Sequence, residues 1–321
     1  MGYRIAIIGA TGLVGRTFLK VLEERKFPVD DILPLASQGN REIKFRGKLY
    51  EVKPLHSFKE FNKIDFAFFS AGAAVSKKYA PLFVKKNIRV IDNSPAFRME
   101  ENIPLIVPEI NKGILKQEDL LIANPNCSTI QLVMSIAGLK DLIEEVYVVT
   151  FQSVSGAGRE GLEQLLGEEK GKEIHYKKFY PRIHRNIVPQ IGELGASLYC
   201  SEEWKIMNET RKILSRWDLK ITATTVRVPV EVGHSLSVTF KLKEDLTYDE
   251  VRNRILSIEN TVFVDGYITP IEVAGKDEVY ISRLRRNPLM DNVWDMWVVA
   301  DNLRKGAATN AIQIAEYLYK N

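Results

Sequence analysis

A chain of 321 residues is about twice the length of a common single domain, so the sequence predicts two domains. With 45 basic and 41 acidic residues, the formal net charge is only +4. No dense run of Lys and Arg is interleaved with aromatic residues, so we expect no nucleic-acid partner. The apolar run at the N-terminus is too short for a signal peptide or a membrane span, so we expect a cytoplasmic protein that does not bind membranes.

Strands and helices alternate through the first part of the chain. Short apolar runs predict strands buried on both faces, and amphipathic stretches between them predict helices. The predicted strands are residues 5–8, 32–36, 64–69, 88–91, 105–107 and 120–123, and helices are predicted from residue 13 and over residues 76–86. This alternation indicates a Rossmann-type doubly wound parallel sheet with right-handed crossovers, which is an α/β fold.

The pattern changes after residue 127, where long stretches of β-forming residues predict a second, α+β domain with a mixed or antiparallel sheet. The predicted strands are residues 146–154, 221–230, 235–241, 279–283 and 294–299, and the predicted helices are residues 128–140, 159–169, 201–214 and 247–257. Residues 306–319 predict an amphipathic helix that returns to the first domain. We therefore expect one domain at residues 1–126 plus 305–321 and the other at 127–304.

A glycine-rich loop, GATGLVG at residues 9–15, separates the first strand from the first helix. Such a loop lets a pyrophosphate approach the backbone and the free N–H groups of the helix start, so it predicts a dinucleotide site. Ser37 and Arg41 follow the second strand, and no acidic residue precedes Glu42, although NAD enzymes usually carry one here that binds the ribose. Because Ser37 and Arg41 can bind a 2′-phosphate, they favour NADP. The alternative is that the glycine turn binds no ligand and that Ser37 and Arg41 are ordinary surface side chains.

Cys127 is the candidate nucleophile. It lies in the segment NPNCST (residues 124–129), where an apolar strand meets an apolar helix that Asn126 or Ser128 can cap. The positive end of the helix favours thiolate, and the first amides of the helix can also hold an oxyanion. The alternative is an inert buried cysteine, which is what we expect of Cys200.

A thiol enzyme needs a group that moves protons, and His234 is the candidate. It lies at a glycine break between two β patterns, a place from which a side chain can point into a cleft. The other three histidines lie elsewhere, and the four lack the spacing of metal ligands, so we expect no metal.

A series of segments over nearly the whole chain resembles the aspartate-semialdehyde dehydrogenase family and follows its order. The similar segments are residues 9–15, 70–72, 92–98, 107–109, 124–131, 152–158, 202–205, 227–230, 233–235 and 301–308. The resemblance implies a Rossmann-type domain completed by the C-terminal helix, and a catalytic domain that carries the interface of a homodimer or of a dimer of dimers.

The resemblance also implies a reaction: L-aspartyl 4-phosphate and NADPH give aspartate 4-semialdehyde, NADP and inorganic phosphate. This step belongs to the biosynthesis of lysine (through diaminopimelate), threonine, methionine and isoleucine. By resemblance, Cys127 forms a thioester that hydride reduces, and His234 acts as general acid and base. Gln152 orients the acyl group, and Asn126 lies beside the nucleophile and helps to bind phosphate.

The charged residues of these segments suit the charges of the substrate. The resemblance implies that Arg98 and Lys205 bind phosphate, that Arg227 binds the α-carboxylate through a bidentate pair, and that Glu202 meets the α-amino group. For each, the alternative is a solvated charge or a surface ion pair.

The implied cofactor residues are Gly9, Thr11, Gly12, Leu13, Val14, Ser37, Arg41, Ser70, Gly72, Ser155, Gly156, Gly158 and Asn302. The chain departs from the family after Ser37, where its loop is shorter and Gln38 stands where many members carry Arg. NAD use, or use of both dinucleotides, therefore stays open.

Two rival functions remain. One is a related reductase of acyl phosphates or acyl-CoA, of the N-acetyl-glutamyl-phosphate or malonyl-CoA type. Glu202 and Arg227 argue against it because they suit a free amino acid. The other is a dinucleotide-binding regulator without activity, which has no use for Cys127, Gln152 and His234 together.

Overall fold

The structure is a computed structural model that describes residues 2–37, 39, 41–60, 63–175 and 177–320. The chain divides into two units. Unit 1 comprises Met1–Pro125 with Ala307–Asn321, and unit 2 comprises Asn126–Gly306.

Unit 1 contains a mostly parallel seven-stranded sheet in the order β3-β4-β2-β1-β5-β6-β7 within the described part of the chain. Its strands are β1 (Tyr3–Ile8), β2 (Val29–Ala36), β3 (Arg41–Phe45), β4 (Lys48–Pro54), β5 (Phe66–Phe69), β6 (Arg89–Asp92) and β7 (Leu121–Ala123). Its helices are α1 (Leu13–Glu24), α2 (Ala73–Val84), α3 (Pro108–Asn111) and α9 (Thr309–Lys320). The chain passes from β1 to β2 on one side of β1 and later returns to place β5 on its other side. The loops at the carboxyl ends of β1 and β5 therefore meet at a topological switch point, where sheets of this kind bind ligands.

Helices cover both faces of this sheet, as a doubly wound fold requires. Ile5 and Ile7 of β1 pack in a core with apolar residues of α1 and α9, whereas Ala6 and Ile8 pack in a core with α2. The apolar stripe of the C-terminal helix, including Ala311, Ile314, Ala315 and Leu318, is buried in the first of these cores. The predicted Rossmann-type sheet is thereby confirmed, and so is the return of the C-terminal helix to it.

One prediction in unit 1 was wrong, and one element was not predicted. Residues 105–107 form no strand but a single bridge between Leu105 and Ala123, because Pro108 begins α3 directly afterwards. The sequence also failed to predict the antiparallel hairpin of β3 and β4, whose exposed residues are mostly charged.

Unit 2 contains a mixed six-stranded sheet in the order β11-β12-β13-β10-β8-β9 among its described residues. Its strands are β8 (Ile143–Gln152), β9 (Lys220–Arg227), β10 (His234–Leu242), β11 (Thr261–Val264), β12 (Val279–Arg286) and β13 (Val293–Ala300). Its helices are α4 (Cys127–Ile136), α5 (Arg159–Glu169), α6 (Ser201–Leu214), α7 (Tyr248–Leu256) and α8 (Pro270–Val273), and a π-helical turn, Arg304–Ala308, follows β13.

β8 and β9 pair in parallel, with their last residues Gln152 and Arg227 side by side, and β10 runs antiparallel to β8. The carboxyl ends of β8 and β9 and the start of β10 therefore lie at one edge. The predicted strands over residues 146–154 and 221–230 end earlier, at Gln152 and Arg227, because the chain turns there to form this edge. No helix in the described part of the chain is both long and apolar enough to cross a membrane.

Candidate active site

Cys127 is the first residue of α4, as predicted, and is half-buried. Asn126 caps the helix: its Oδ1 accepts the backbone N–H groups of Ser128 (2.9 Å) and Thr129 (3.2 Å). The sulfur atom thus lies at the positive end of a helix that is buried almost throughout, which favours the thiolate form.

The same cap corrects one expectation. We expected the first amides of the helix to be able to hold an oxyanion, but the amides of Ser128 and Thr129 already donate to Asn126 Oδ1. Because each N–H makes one good hydrogen bond, neither of these two amides is available to an oxyanion.

Asn126 is held in place by two carboxylates of α6. Its Nδ2 donates to Glu202 Oε1 (2.7 Å), and its backbone N–H donates to Glu209 Oε2 (2.7 Å). Glu209 is 1% exposed. These bonds fix which end of the Asn126 amide faces the helix, so the cap and the nucleophile beside it have one orientation.

Glu202 is the centre of the site. Besides Asn126, it accepts from Gln152 Nε2 (3.3 Å) and from Lys205 Nζ (3.0 Å). Its burial alone would raise the pKa of Glu202, but Lys205, the Asn126 amide and Arg227 outweigh this effect and hold that pKa below its usual value. Glu202 is therefore a buried anion at neutral pH, not the solvated charge that an exposed helix would carry.

Arg227 lies at the end of β9 with 5% of its surface exposed. Its Nη1 donates to the carbonyl of Ser153 (2.7 Å). Burial lowers the pKa of Arg227, and the charges of Glu202 and Cys127 oppose this shift. The guanidinium is therefore close enough to both residues to interact with their charges.

His234, the first residue of β10, is fully buried. Desolvation, and then the nearby charge of Arg227, lower the pKa of His234 to about 3, so the imidazole is neutral. Its Nδ1 accepts the backbone N–H of Ser153 (3.1 Å), whereas Nε2 is buried without a hydrogen-bond partner in the described part of the chain. Because Nδ1 is an acceptor, the proton of the neutral ring is on Nε2, which makes the resting imidazole a proton donor at that atom.

Asn302 belongs to the shell that orients His234. Its Oδ1 accepts from Ser153 Oγ (3.0 Å) and from the backbone N–H of Gly233 (2.9 Å), and its Nδ2 donates to Ser155 Oγ (3.0 Å). Ser153 Oγ in turn lies 3.0 Å from His234 Nδ1. The predicted cofactor residues Ser155 and Asn302 thus bond to each other and to the neighbours of the imidazole.

Gly156 lies against both Arg227 and His234. A Cβ atom at this position would lie 2.8 Å from Arg227 Nη1 and 3.1 Å from His234 Nε2. The Arg227 guanidinium and His234 Nε2, which has no hydrogen-bond partner among the described residues, therefore both lie next to the Cα atom of this glycine. A cavity of about 640 Å³ opens there, and its lining includes Gly156, Glu202, Lys205 and Arg227.

The predicted dinucleotide loop lies at the carboxyl edge of the unit 1 sheet. Gly9 follows β1 with φ +85°, and residues 11–14 turn into α1, whose N-cap, Gly12, supplies no side-chain hydrogen bond. A Cβ at Gly15 would lie 2.3 Å from the Gly9 carbonyl, so the helix packs on the loop only with glycine there. An uncapped helix start without acidic residues in its first turn fits the pyrophosphate of a dinucleotide.

The other predicted cofactor residues of unit 1 lie along the same edge. Ser70 follows β5, and its Oγ donates to the carbonyl of Ile8 (3.2 Å), while Gly72 is the N-cap of α2. Ser37 follows β2 and is exposed, and Arg41 begins β3. Gln38 lies outside the described residues. Gly158, the N-cap of α5, lies in unit 2 together with Ser155, Gly156 and Asn302.

Arg98 lies in unit 1 and is buried. Its Nε and Nη2 donate to the carbonyls of Asn124 (2.9 Å) and Asn93 (2.6 Å). The loop before it is anchored by Asp92, which accepts from Ser76 Oγ and Ser94 Oγ at 2.7 Å each. Burial raises the pKa of Asp92, and the bonds from Ser76 and Ser94 oppose that shift.

Sequence reasoning missed Ser153 and Glu209 as residues that position the site. Ser153 carried a signal, since it follows Gln152 in one of the similar segments, whereas Glu209 looked like any polar residue of an amphipathic helix. Cys200, as expected, is a buried structural residue that precedes α6, with its Sγ 3.2 Å from Thr225 Oγ1. Across the described ranges, no group of three or more His, Cys, Asp or Glu side chains could hold a metal ion.

Comparison with known families matches both units. The semialdehyde dehydrogenase NAD binding domain matches residues 4–118, and the semialdehyde dehydrogenase dimerisation domain matches residues 136–305. The fold and the site therefore define an oxidoreductase of the semialdehyde dehydrogenase class, which acts on an aldehyde group.

Individual relatives narrow this class. An aspartate-semialdehyde dehydrogenase of Aquifex aeolicus is 45% identical over 336 aligned positions, covering 100% of this chain and 99% of the relative. The enzyme of the same name from Bacillus subtilis is 38% identical, covering 99% and 98%. The crystal structure of aspartate semialdehyde dehydrogenase II from Vibrio cholerae superimposes with a TM-score of 0.94 at 38% identity, covering 100% of this chain and 99% of that one. The chain belongs to the aspartate-semialdehyde dehydrogenase family.

Proposed function

We propose that the protein catalyses the reversible, NADPH-dependent reductive dephosphorylation of L-aspartyl 4-phosphate to L-aspartate 4-semialdehyde. The observation that carries this proposal is the pairing of a buried anion, Glu202, with a buried cation, Arg227, beside a half-buried thiol at a helix start. Together they match the α-amino group, the α-carboxylate and the acyl carbon of an amino acid. A related Vibrio cholerae structure is titled as a complex with ASA and is 37% identical to this chain.

The substrate's head group is held by opposite charges. Glu202, an anion at neutral pH, receives the α-amino group, and Arg227 receives the α-carboxylate through the N–H groups of its fork other than the one bonded to Ser153. Since an acyl-CoA or an N-acylated substrate presents no free ammonium group to Glu202, this pair favours the aspartyl compound over those of the related reductases.

The chemical role belongs to Cys127. Its thiolate attacks the acyl carbon, the bond from that carbon to the phosphate oxygen breaks, and a thioester forms as phosphate leaves. Bound NADPH supplies the hydride for reduction of the thioester carbon. Collapse of the tetrahedral adduct on Cys127 then releases the aldehyde and returns the thiolate. Gln152 orients the acyl group, and Lys205 and Asn126 bind the phosphate. For Arg98, which lies in unit 1, a role in binding phosphate rests on the resemblance alone.

His234 serves as the proton-transferring group. Its Nε2–H, unpartnered and beside Arg227, is able to donate to the oxygen that gains charge when the acyl carbon becomes tetrahedral. This role also supplies the oxyanion donor that the capped amides of Ser128 and Thr129 do not offer. The proton stays hydrogen-bonded between Nε2 and that oxygen while the carbon is tetrahedral, and collapse of the adduct in either direction leaves the neutral ring unchanged.

NADP is the proposed dinucleotide, held in unit 1 by the loop of residues 9–15 and by Ser70 and Gly72, with Ser37 and Arg41 at the 2′-phosphate. For Gly158 and Asn302, a role in binding the cofactor rests on the resemblance alone. The matched NAD binding domain supports a nicotinamide cofactor, and the lack of an acidic residue after β2 favours NADP over NAD.

We also propose a homodimer, formed through unit 2. The matched dimerisation domain supports it. One face of the unit 2 sheet leaves Tyr147 and Val149 exposed at 51% and 37%, and large exposed apolar side chains on adjacent positions are typical of interaction surfaces. Because Cys127 must stay reduced to react, we expect the protein to work in the cytoplasm.

The decisive experiment is the reverse reaction, in which aspartate semialdehyde, phosphate and NADP or NAD are supplied in parallel. We expect reduction of NADP that requires both phosphate and the aldehyde, with slower reduction of NAD. No phosphate-dependent turnover of aspartate semialdehyde, together with turnover of another acyl donor, would overturn the assignment.

A further inference from the structure

The ring of Phe179 lies against the guanidinium of Arg227, with 5.7 Å between the Arg227 Cζ atom and the ring centroid. This distance is within the range over which the negative face of an aromatic ring attracts a cation. Phe179 also lines the cavity that contains Glu202 and Lys205. It belongs to a loop of residues 177–190, hereafter the strap, which contains no helix or strand.

Gln164 of α5 binds the backbone of the strap at Lys178 and Phe179. Its Oε1 accepts the backbone N–H groups of Lys178 (2.6 Å) and Phe179 (2.8 Å), and its Nε2 donates to the carbonyl of Phe179 (3.0 Å). Gln164 is 1% exposed, so these three bonds form where water does not compete. The backbone of Phe179 is therefore fixed by a buried amide.

Glu168, one turn further along α5, holds the next part of the strap. Its Oε2 accepts the N–H groups of Ile183 and His184 at 2.9 Å each. Burial acts to raise the pKa of Glu168, but the bonds from Gln164, His184 and Ile183 outweigh it and lower that pKa, so the anchor is an anion at neutral pH. Ile183 packs in a small core with Val154 and Leu165.

The far end of the strap is paired with Arg227 itself. The N–H of Val188 donates to the Arg227 carbonyl (2.9 Å), and the N–H of Arg227 donates to the Val188 carbonyl (2.8 Å). The strap therefore contacts Arg227 twice, at its backbone through Val188 and at its guanidinium through Phe179.

We propose that Phe179 is a specificity-determining positioning residue, which sets the plane of the Arg227 guanidinium for the α-carboxylate of the substrate. This inference rests on the proposed function, in which Arg227 binds that carboxylate. A bidentate pair requires the fork and the carboxylate to share a plane. The Ser153 carbonyl fixes only one nitrogen of the fork, and the face of the Phe179 ring removes the remaining rotation.

The test compares Phe179→Leu, which keeps an apolar side chain but removes the ring, with Phe179→Tyr, which keeps the ring. In the reverse assay, we expect Phe179→Leu to raise the KM for aspartate semialdehyde about 3- to 30-fold, while kcat and the KM for phosphate stay within about twofold. Phe179→Tyr should stay near the wild type. Trp217→Leu is the control, because Trp217 is an aromatic residue that is 64% exposed and does not line this cavity, so the KM should not change.

A double-mutant cycle separates this inference from the proposed function. In an Arg227→Lys background, which lacks the planar fork, Phe179→Leu should raise the KM for the aldehyde little further. If wild-type enzyme turns over aspartate semialdehyde and Arg227→Lys raises its KM, the function stands. The inference about Phe179 is then overturned by any of three results: an unchanged KM in Phe179→Leu, an equal loss in Phe179→Tyr, or full additivity with Arg227→Lys.

Discussion

Adding one methyl group at Gly156 tests whether Arg227 and His234 act at one spot. A Cβ at this position lies 2.8 Å from Arg227 Nη1 and 3.1 Å from His234 Nε2, both shorter than an ordinary van der Waals contact. Gly156 is outside the left-handed region of backbone conformation, so alanine adds a side chain without backbone strain. An effect of Gly156→Ala therefore does not arise from backbone strain.

Neither neighbour can yield at low cost. Arg227 is bonded through Nη1 to the Ser153 carbonyl, and His234 is bonded through Nδ1 to the Ser153 N–H. Both side chains are buried. Overpacking of such a site costs about 1–3 kcal/mol. If the overpacking destabilises the arrangement of Arg227 and His234 in the transition state by this amount, kcat/KM falls about 5- to 150-fold.

The assay is the phosphate-dependent reduction of NADP by aspartate semialdehyde, measured as kcat/KM beside the Tm of each variant. Gly113→Ala is the control, because a Cβ at Gly113 meets no atom within 4 Å and that glycine also lacks a positive φ. A Gly156→Ala enzyme with the kcat/KM of the Gly113→Ala enzyme would refute the idea that the guanidinium and the imidazole share this spot.

Three further predictions concern the nucleophile, the imidazole and the cofactor. Cys127→Ala should abolish turnover but leave NADPH binding, measured by fluorescence titration, unchanged; residual turnover would exclude the thioester route. His234 has a folded-state pKa of about 3 against about 6.5 in the unfolded chain, so only the unfolded chain gains a proton as pH falls between these values. The free energy of unfolding should therefore fall with decreasing pH by up to about 1.4 kcal/mol per pH unit. Urea unfolding at pH 6.5, 5.5 and 4.5 should show a shallower fall for His234→Asn than for the wild type. Equal slopes for the two proteins would contradict the neutral, buried state of the ring. The variant Ser37→Ala with Arg41→Ala should lower kcat/KM for NADP about tenfold and leave that for NAD unchanged, as expected when charge-assisted bonds to a phosphate are lost; an equal loss with both dinucleotides would show that these residues do not read the 2′-phosphate.

The apolar strands of the fold were predictable because burial on both faces leaves a strong signal. The buried parts of β1, β2 and β5 (residues 5–8, 32–36 and 66–69) are continuous apolar runs, and each strand was predicted close to its true position. The β3–β4 hairpin lies at the edge of the sheet, and only Ile43 and Phe45 of the five residues of β3 are buried, so the alternation of apolar and charged residues was too short to stand out. Leu105 was misplaced in a strand for the opposite reason, since apolar composition does not distinguish a buried loop from a strand.

The site was predictable where a reactive residue lies at a junction between a strand and a helix. Cys127 was found because a cysteine between a strand and a capped helix is unusual, and the resemblance supplied the partners of the substrate. Glu209 and Gln164 were missed because a buried polar side chain on a helix looks the same in sequence as a solvated one. Their role comes from backbone groups that tertiary folding brings to them, Asn126 for one and the strap for the other.

The residues that anchor the strap differ from the residue of the strap that contacts Arg227. Gln164 and Glu168 bind peptide groups, which every residue except proline offers through its N–H. The exposed side chains of Lys178, Tyr180 and Arg182 can therefore vary without loosening the loop, whereas Ile183 is fixed by its packing in the small core. If Phe179 orients Arg227, a different side chain at position 179 changes how tightly the α-carboxylate is bound while the scaffold stays the same. Enzymes built on this plan can diversify in the acids they accept while α5 stays constant, and protein engineers can use the same freedom.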